Sequence, residues 1–290
     1  MTVNNTRMHI ETYLAERKAL VEERLSAYLP PLGTRPANLT EAMRHAVLPG
    51  GKRLRAILCL AAAEAAGGGV EDALPAACAV ELLHSYTLVH DDLPCMDNDV
   101  LRRGLPTVHV KYGEAIAVLT GDALQTLAFE VLARTREAVP GMTARLVTEL
   151  ASATGATGVI GGQVEDIASA HAPTRAVIDY VFQHKTADLF RAAVRLGAIA
   201  AQAPDAELEK LSTFANGLGL AFQVIDDILD AAEAKSDDKP ELSCLDIMSE
   251  DEARAWARQL TRDARDALSG LSGNTLPLSA IADALLARVN

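Results

Sequence analysis

The feature that most constrains this 290-residue chain is a group of carboxylates at the end of an apolar stretch. Residues 79–103 read AVELLHSYTLVHDDLPCMDNDVLRR, placing Asp91, Asp92, Asp97 and Asp99 close together, with Arg102 and Arg103 just beyond. Taking an ion out of water costs several kcal/mol unless it is paired or bound to a metal. Such a segment is either a solvated surface patch or a holder of cations and an anion. A second acidic group, LAFQVIDDILD at 220–230, favours the holder. On a helix Asp226 and Asp230 lie about 40° apart and Asp227 about 60° further, so the three share a face, with Gln223 about 20° from Asp230. Carboxylates at that spacing repel unless divalent cations lie between them. Magnesium suits them, because it prefers oxygen and is commonly held by a few carboxylates plus substrate phosphates.

The first group cannot work as one straight helix. Asp91 and Asp97 would lie about 120° apart, and Pro94 interrupts the helix. The spacing predicts a helix ending near Leu93, with Asp97 folded back on a short loop. His84 falls about 20° from Asp91 on the same face, two turns deeper.

An anion site is also legible. In LPGGKRLRAIL at 48–58, Gly50 and Gly51 precede an expected helix that starts with Lys52, Arg53 and Arg55. Cations there oppose the helix dipole, and a bound anion would relieve the conflict through backbone N–H groups and side chains. Lys52 and Arg55 lie about 60° apart on that helix and can converge. Arg102 and Arg103 make a second anion site.

Helical periodicity recurs along the chain. Ile10, Leu14, Val21 and Leu25 form one stripe; further helices are expected near 39–47, from Lys52, and over 73–92, 112–137, 142–168, 174–201, 205–233 and 250–269. Breaks fall at GGG 67–69, VPG 139–141, HAPT 171–174 and QAPD 202–205, and alternating strand patterns are scarce. The expectation is an all-α fold, a single domain over 1–290 of many helices joined by short loops. The 49% hydrophobic content supplies a core, and the formal charge of −12 disfavours nucleic acid and anionic membrane as partners. Glu64, Glu71 and Glu81 interrupt the best apolar runs, so no membrane span is expected, and the N-terminus has no apolar signal core. Cys59, Cys78, Cys95 and Cys244 form no C-x-x-C pair, which points to a reducing, cytoplasmic setting without disulfides or zinc. Glu81 and His84 match the Glu-x-x-His of di-iron bundles, but a second copy is missing, leaving Glu81 a supporting role.

Together, GGKRLR, HDDLPCMDND, LRRGLPTVH, GDALQ, GGQVEDI, HKTADLF and FQVIDDILD, in this order over roughly 40–235, resemble the trans-prenyl diphosphate synthases, in particular the bacterial farnesyl diphosphate synthases. The resemblance implies the isoprenoid synthase fold, antiparallel helices around a central cavity, and a homodimer with three magnesium ions, manganese being the expected substitute. It implies condensation of isopentenyl diphosphate with dimethylallyl and geranyl diphosphate to farnesyl diphosphate. By position, Asp91, Asp92, Asp97, Asp226, Asp227 and Asp230 match metal ligands. Lys52, Arg55, His84 and Arg103 match the isopentenyl diphosphate site; Arg102, Lys185, Thr186 and Gln223 match positions around the allylic substrate. Gln163 and Asp166 match polar positions facing the second aspartate group. Tyr86, with Thr87 beside it, matches the position where an aromatic limits product length.

The sequence departs from that pattern after Asp230, where Lys239 alone stands for an expected lysine and Glu241 occupies a threonine position. A geranylgeranyl diphosphate synthase is the sister reading. A terpene cyclase would lack the basic site at Lys52, Arg55 and Arg103. An inactive partner subunit would have lost aspartates that are present here.

Overall fold

The structure, a computed structural model, describes residues 3–135, 138–169, 173–233 and 242–289. Helices α3 (Leu54–Ala65), α4 (Val70–Asp91) and α10 (Asp188–Ala200) are buried around most of their circumference, which places them at the centre, and the long α11 (Asp205–Glu233) packs on α10. Outer helices α1 (Val3–Tyr28), α2 (Ala37–Val47), α6 (Glu114–Ala133), α7 (Met142–Thr154), α8 (Val159–Ser169), α9 (Arg175–Val181), α12 (Glu250–Ala267) and α13 (Leu276–Leu286) surround them. A short α5 (Val108–Tyr112) precedes α6. Val21 and Leu25 of the N-terminal stripe are fully buried. The fold is mostly helical and among the described residues has only one hairpin, β1 (Leu101–Arg102) with β2 (Leu105–Pro106).

Several expected boundaries move. The 142–168 helix divides at Gly155 into α7 and α8, because extended backbone there ends the first helix. The helix expected from Lys52 starts at Leu54, after Arg53 in the left-handed region (φ 51°). Helix α4 stops at Asp91, and the Asp97 amide donates to the Asp91 carbonyl at 2.8 Å, folding the chain back. Helix α13 carried no expectation. By length and composition α6 could cross a membrane, contrary to the sequence reading, yet one side of it packs on α4. Its other face leaves Val118 and Leu119 exposed.

Glycine sets the closest helix approaches. A Cβ on Gly197 of α10 would collide with the Cys59 carbonyl of α3. Gly197→Ala is therefore expected to destabilise the protein by about 1–3 kcal/mol, the usual cost of overpacking. Urea denaturation measures this, and an unshifted midpoint would refute the backbone contact.

Candidate active site

Two adjoining cavities share Arg55 and His84 in their walls. The first, about 840 Å³, is bordered by Gly51, Lys52, Arg53, Arg103 and Phe222 and is covered by Ile281, Ala284 and Leu285 of α13. The second, about 590 Å³, is lined by Asp91, Lys185 and Thr186, by Thr87 and Gln163, and by Tyr86 and His90. Both fall in the size range of small-molecule sites.

The basic cavity is built on a strained turn. Gly50 and Gly51 take φ of 92° and 139°, beyond the ordinary reach of side-chain-bearing residues. Arg53 follows with its guanidinium buried, donating to the Val47 carbonyl at 2.5 Å and lying 3.5 Å from both Glu81 and Glu22. Arg53 is thus structural, while Lys52 is exposed and Arg55 half-buried. Glu81 also accepts from the Ala56 amide at 3.3 Å, which explains a carboxylate inside α4. Arg55 lies 3.1 Å from His84 Nε2 and is lowered to about 10, chiefly by burial. Burial, then Arg55 and Arg103, keeps His84 well below the usual imidazole range, hence neutral.

The hairpin delivers the other cations. Arg103 (φ 54°) and Gly104 (φ 77°) both have positive φ, as a tight two-residue hairpin turn requires. The Arg103 guanidinium donates to the Gly50 carbonyl and fills the place a Cβ on Gly51 would take. Arg102 pairs instead with Asp92 at 2.6 Å and Asp99 at 2.8 Å.

These contacts divide the acidic residues. Asp92 is buried and engaged by Arg102. Asp91 accepts no hydrogen bond on its carboxylate from the described residues. Burial, joined by Asp97 and Asp92 against Lys185 and Arg102, pushes it up to about 7. Asp97 is raised as well, mainly by burial. Asp226 meets Arg288 at 2.9 Å, and Asp230 is exposed one turn on. Asp227 is engaged within the protein: Gln223 donates to it at 2.9 Å, Ser243 Oγ at 3.1 Å and the Cys244 amide at 2.7 Å. Its Oδ2 thus anchors the chain before α12, while its Oδ1 takes Gln223 of its own helix. Asp226, Asp227 and Asp230 do share α11 as expected, but protein donors already occupy both oxygens of Asp227. Asp91, Asp97, Asp226 and Asp230 offer hard oxygen donors of the kind divalent cations take, although among the described residues no three His, Cys, Asp or Glu side chains stand grouped as a ready metal site.

Between the acidic groups the helix widens into a π turn over Phe182–Ala187, a distortion frequent at functional sites. It turns Lys185 and Thr186 into the cavity, and Gly162 of α8 packs directly on the Lys185 backbone. Lys185 Nζ donates to Asp166 at 2.5 Å. Burial alone would lower Lys185, but Asp166, Asp91 and Asp97 hold it above its ordinary value. Asp166 therefore serves the first aspartate group, not the second as expected, and Gln163 lines the cavity with Asp91. Thr186 Oγ1 donates to Gln223 Oε1 at 2.8 Å. Lys239 lies outside the described residues. Sequence reasoning missed Arg288, which lies in no motif and beyond the region of resemblance.

The family model for polyprenyl synthetase matches residues 36–252. A heterodimeric geranylgeranyl pyrophosphate synthase large subunit 1 from Arabidopsis thaliana is 43% identical, covering 96% of this chain and 79% of its own length. A geranylgeranyl diphosphate synthase from Cyanophora paradoxa is 37% identical over 98% of both chains. The apo crystal structure of an FPP/GFPP synthase from Zymomonas mobilis superposes with a TM-score of 0.89 at 35% identity, covering 96% of this chain and 99% of that one. With this fold and site, the chain belongs to the polyprenyl synthetase family and is a trans-prenyltransferase.

Asp227→Ala strips the acceptor from the Cys244 amide and Gln223. It is expected to destabilise the metal-free protein by about 1–3 kcal/mol, the cost of orphaned buried donors. Chemical denaturation without metal measures the loss, and full stability would show that Asp227 is no anchor.

Proposed function

We propose that the protein joins isopentenyl diphosphate head-to-tail to dimethylallyl and then geranyl diphosphate, giving (2E,6E)-farnesyl diphosphate. The observation that carries this reading is the junction of a basic and an acidic cavity at Arg55 and His84, where two diphosphate substrates could meet. Asp91 and Asp97 on one side and Asp226 and Asp230 on the other would hold magnesium, with manganese as a substitute. When bound, the metal neutralises charge on the departing diphosphate.

The chain's own residues do the rest. Lys185 and Arg102 add positive charge beside the leaving group. The Lys185 carbonyl, the Thr186 hydroxyl and the Gln223 carbonyl present negative dipole ends to the allylic carbocation. Lys52, Arg55 and Arg103 hold isopentenyl diphosphate, and neutral His84 can share in hydrogen bonding. Placing its double bond next to the cation replaces a bimolecular encounter with a positioned one. The proton lost afterwards passes to the released diphosphate, so no side-chain base is required.

Tyr86 supports a fifteen-carbon limit, since it is buried in the wall of the second cavity, about 7.5 Å along α4 from Asp91. Thr87 lines the same wall and donates to the His84 carbonyl. The names of the plant and algal relatives favour a second reading, geranylgeranyl diphosphate synthesis. The exposed apolar faces of α6 and α8 support a homodimer. Four free cysteines, three of them buried, support a cytoplasmic setting.

Turnover is expected to stop in chelator and return with magnesium. Asp91→Ala or Asp226→Ala should lower it roughly 100- to 1000-fold, about 3–4 kcal/mol of lost transition-state stabilisation. Near-normal rates in both variants would remove the metal assignment. Tyr86→Ala is expected to shift the main product from fifteen to twenty carbons or more, sized chromatographically after dephosphorylation. A twenty-carbon wild-type product would move the assignment to the second reading.

A further inference from the structure

Tyr86 is not on the same stripe of α4 as Asp91. On the helix it lies about 140° from Asp91, whereas Thr87 lies about 40° away. Its ring therefore enters the cavity from the side facing α6, and its position depends on what stands beside it. His90 lies one turn on from Tyr86, on its own stripe. The two rings meet edge-on, 5.4 Å between centroids at 90°. His90 is fixed in turn by α6. Its Nε2 lies 3.0 Å from the Val118 carbonyl, which can only accept, so Nε2 carries the hydrogen and donates. Its ring fills a notch at Gly121, where an added Cβ would collide with it. One turn further on, Gln125 lines the same cavity as Tyr86 and His90.

We propose that His90, seated in the Gly121 notch, is a positioning residue for product length, holding the Tyr86 ring across the end of the elongation cavity. This rests on the reading of Tyr86 as the limit. Glycine at 121 is needed because a larger residue evicts the imidazole, and the Tyr86 ring then loses its lateral support. His90 adjoins the aspartate group, so its replacement affects turnover too. Product length is a ratio within one reaction and separates the two effects.

The experiment incubates each enzyme with isopentenyl diphosphate, dimethylallyl diphosphate and magnesium and sizes the dephosphorylated products. Tyr86→Ala and His90→Ala are both expected to extend the product by at least one five-carbon unit. Gly121→Ala, which retains Tyr86, His90 and the aspartates but displaces the imidazole from its notch, is expected to do the same and keeps the test open if His90→Ala is inactive. Because His90 acts through Tyr86, the double variant Tyr86→Ala/His90→Ala should match Tyr86→Ala alone. Lengthening by Tyr86→Ala without lengthening by His90→Ala or Gly121→Ala overturns the role of His90 and leaves the Tyr86 limit standing. A double variant longer than Tyr86→Ala also overturns it, since His90 would then be a wall in its own right. No lengthening by Tyr86→Ala overturns the limit and the role of His90 together.

Discussion

The guanidinium of Arg53 lies buried between Glu81, Glu22 and the Val47 carbonyl, and the basic half of the site is arranged around it. The contact closes the left-handed turn that follows Gly50 and Gly51, so Lys52 leaves toward solvent and Arg55 toward the cavity. Glu81 also takes the Ala56 amide, tying the start of α3 to the middle of α4. His84 then follows on α4 within reach of Arg55. Removing one partner of a buried pair typically costs about 3–5 kcal/mol, because the other charge is left uncompensated. Here the cost would fall on a turn that also supports the Arg103 hairpin.

The acidic half is organised differently. Its carboxylates divide into those satisfied by protein and those left to a ligand. Asp92 is matched to Arg102 and Asp227 to the chain before α12, while Asp91 keeps its oxygens toward the cavity. The π turn stands between the two groups. Its shape is held by Asp188, which is buried and bonded to Gln183, His184 and Arg191. Gln183 reaches Asn216 of α11, and Thr186 reaches Gln223 two turns later on the same helix. The dipoles aimed at the cavity and the second aspartate group therefore share one hydrogen-bonded frame.

Much of this was legible from residue type and spacing. Pro94 after paired aspartates requires the chain to fold back at Asp97, and the helical pattern near Asp226 places it beside Asp230. The division of labour among the aspartates was not legible. Asp226 and Asp227 are neighbours of one type on one helix, and only the later return of Ser243 and Cys244 distinguishes them. The start of α3 was misplaced because a left-handed arginine has no local signature; its cause lies at Glu81, distant in sequence. Arg288 was missed because it lies in no motif and reaches Asp226 only through the fold. Helix α6 was legible as a helix, but the division of its apolar surface between α4 and an uncovered face is set by packing and has no local signature.

The hairpin of Arg102 and Arg103 has a metrical consequence. The two arginines are consecutive, so their Cα atoms are about 3.8 Å apart across one rigid peptide plane. One is directed to the acidic group through Asp92 and the other to the basic cavity through the Gly50 carbonyl. The offset between the two halves of the site is thus referred to a covalent length rather than to the packing of separate helices. Helices can shift against one another by tenths of an ångström without changing that interval. An added residue in the turn would throw the two halves out of step by a whole unit, so the loop is a ruler that can fail only in discrete steps.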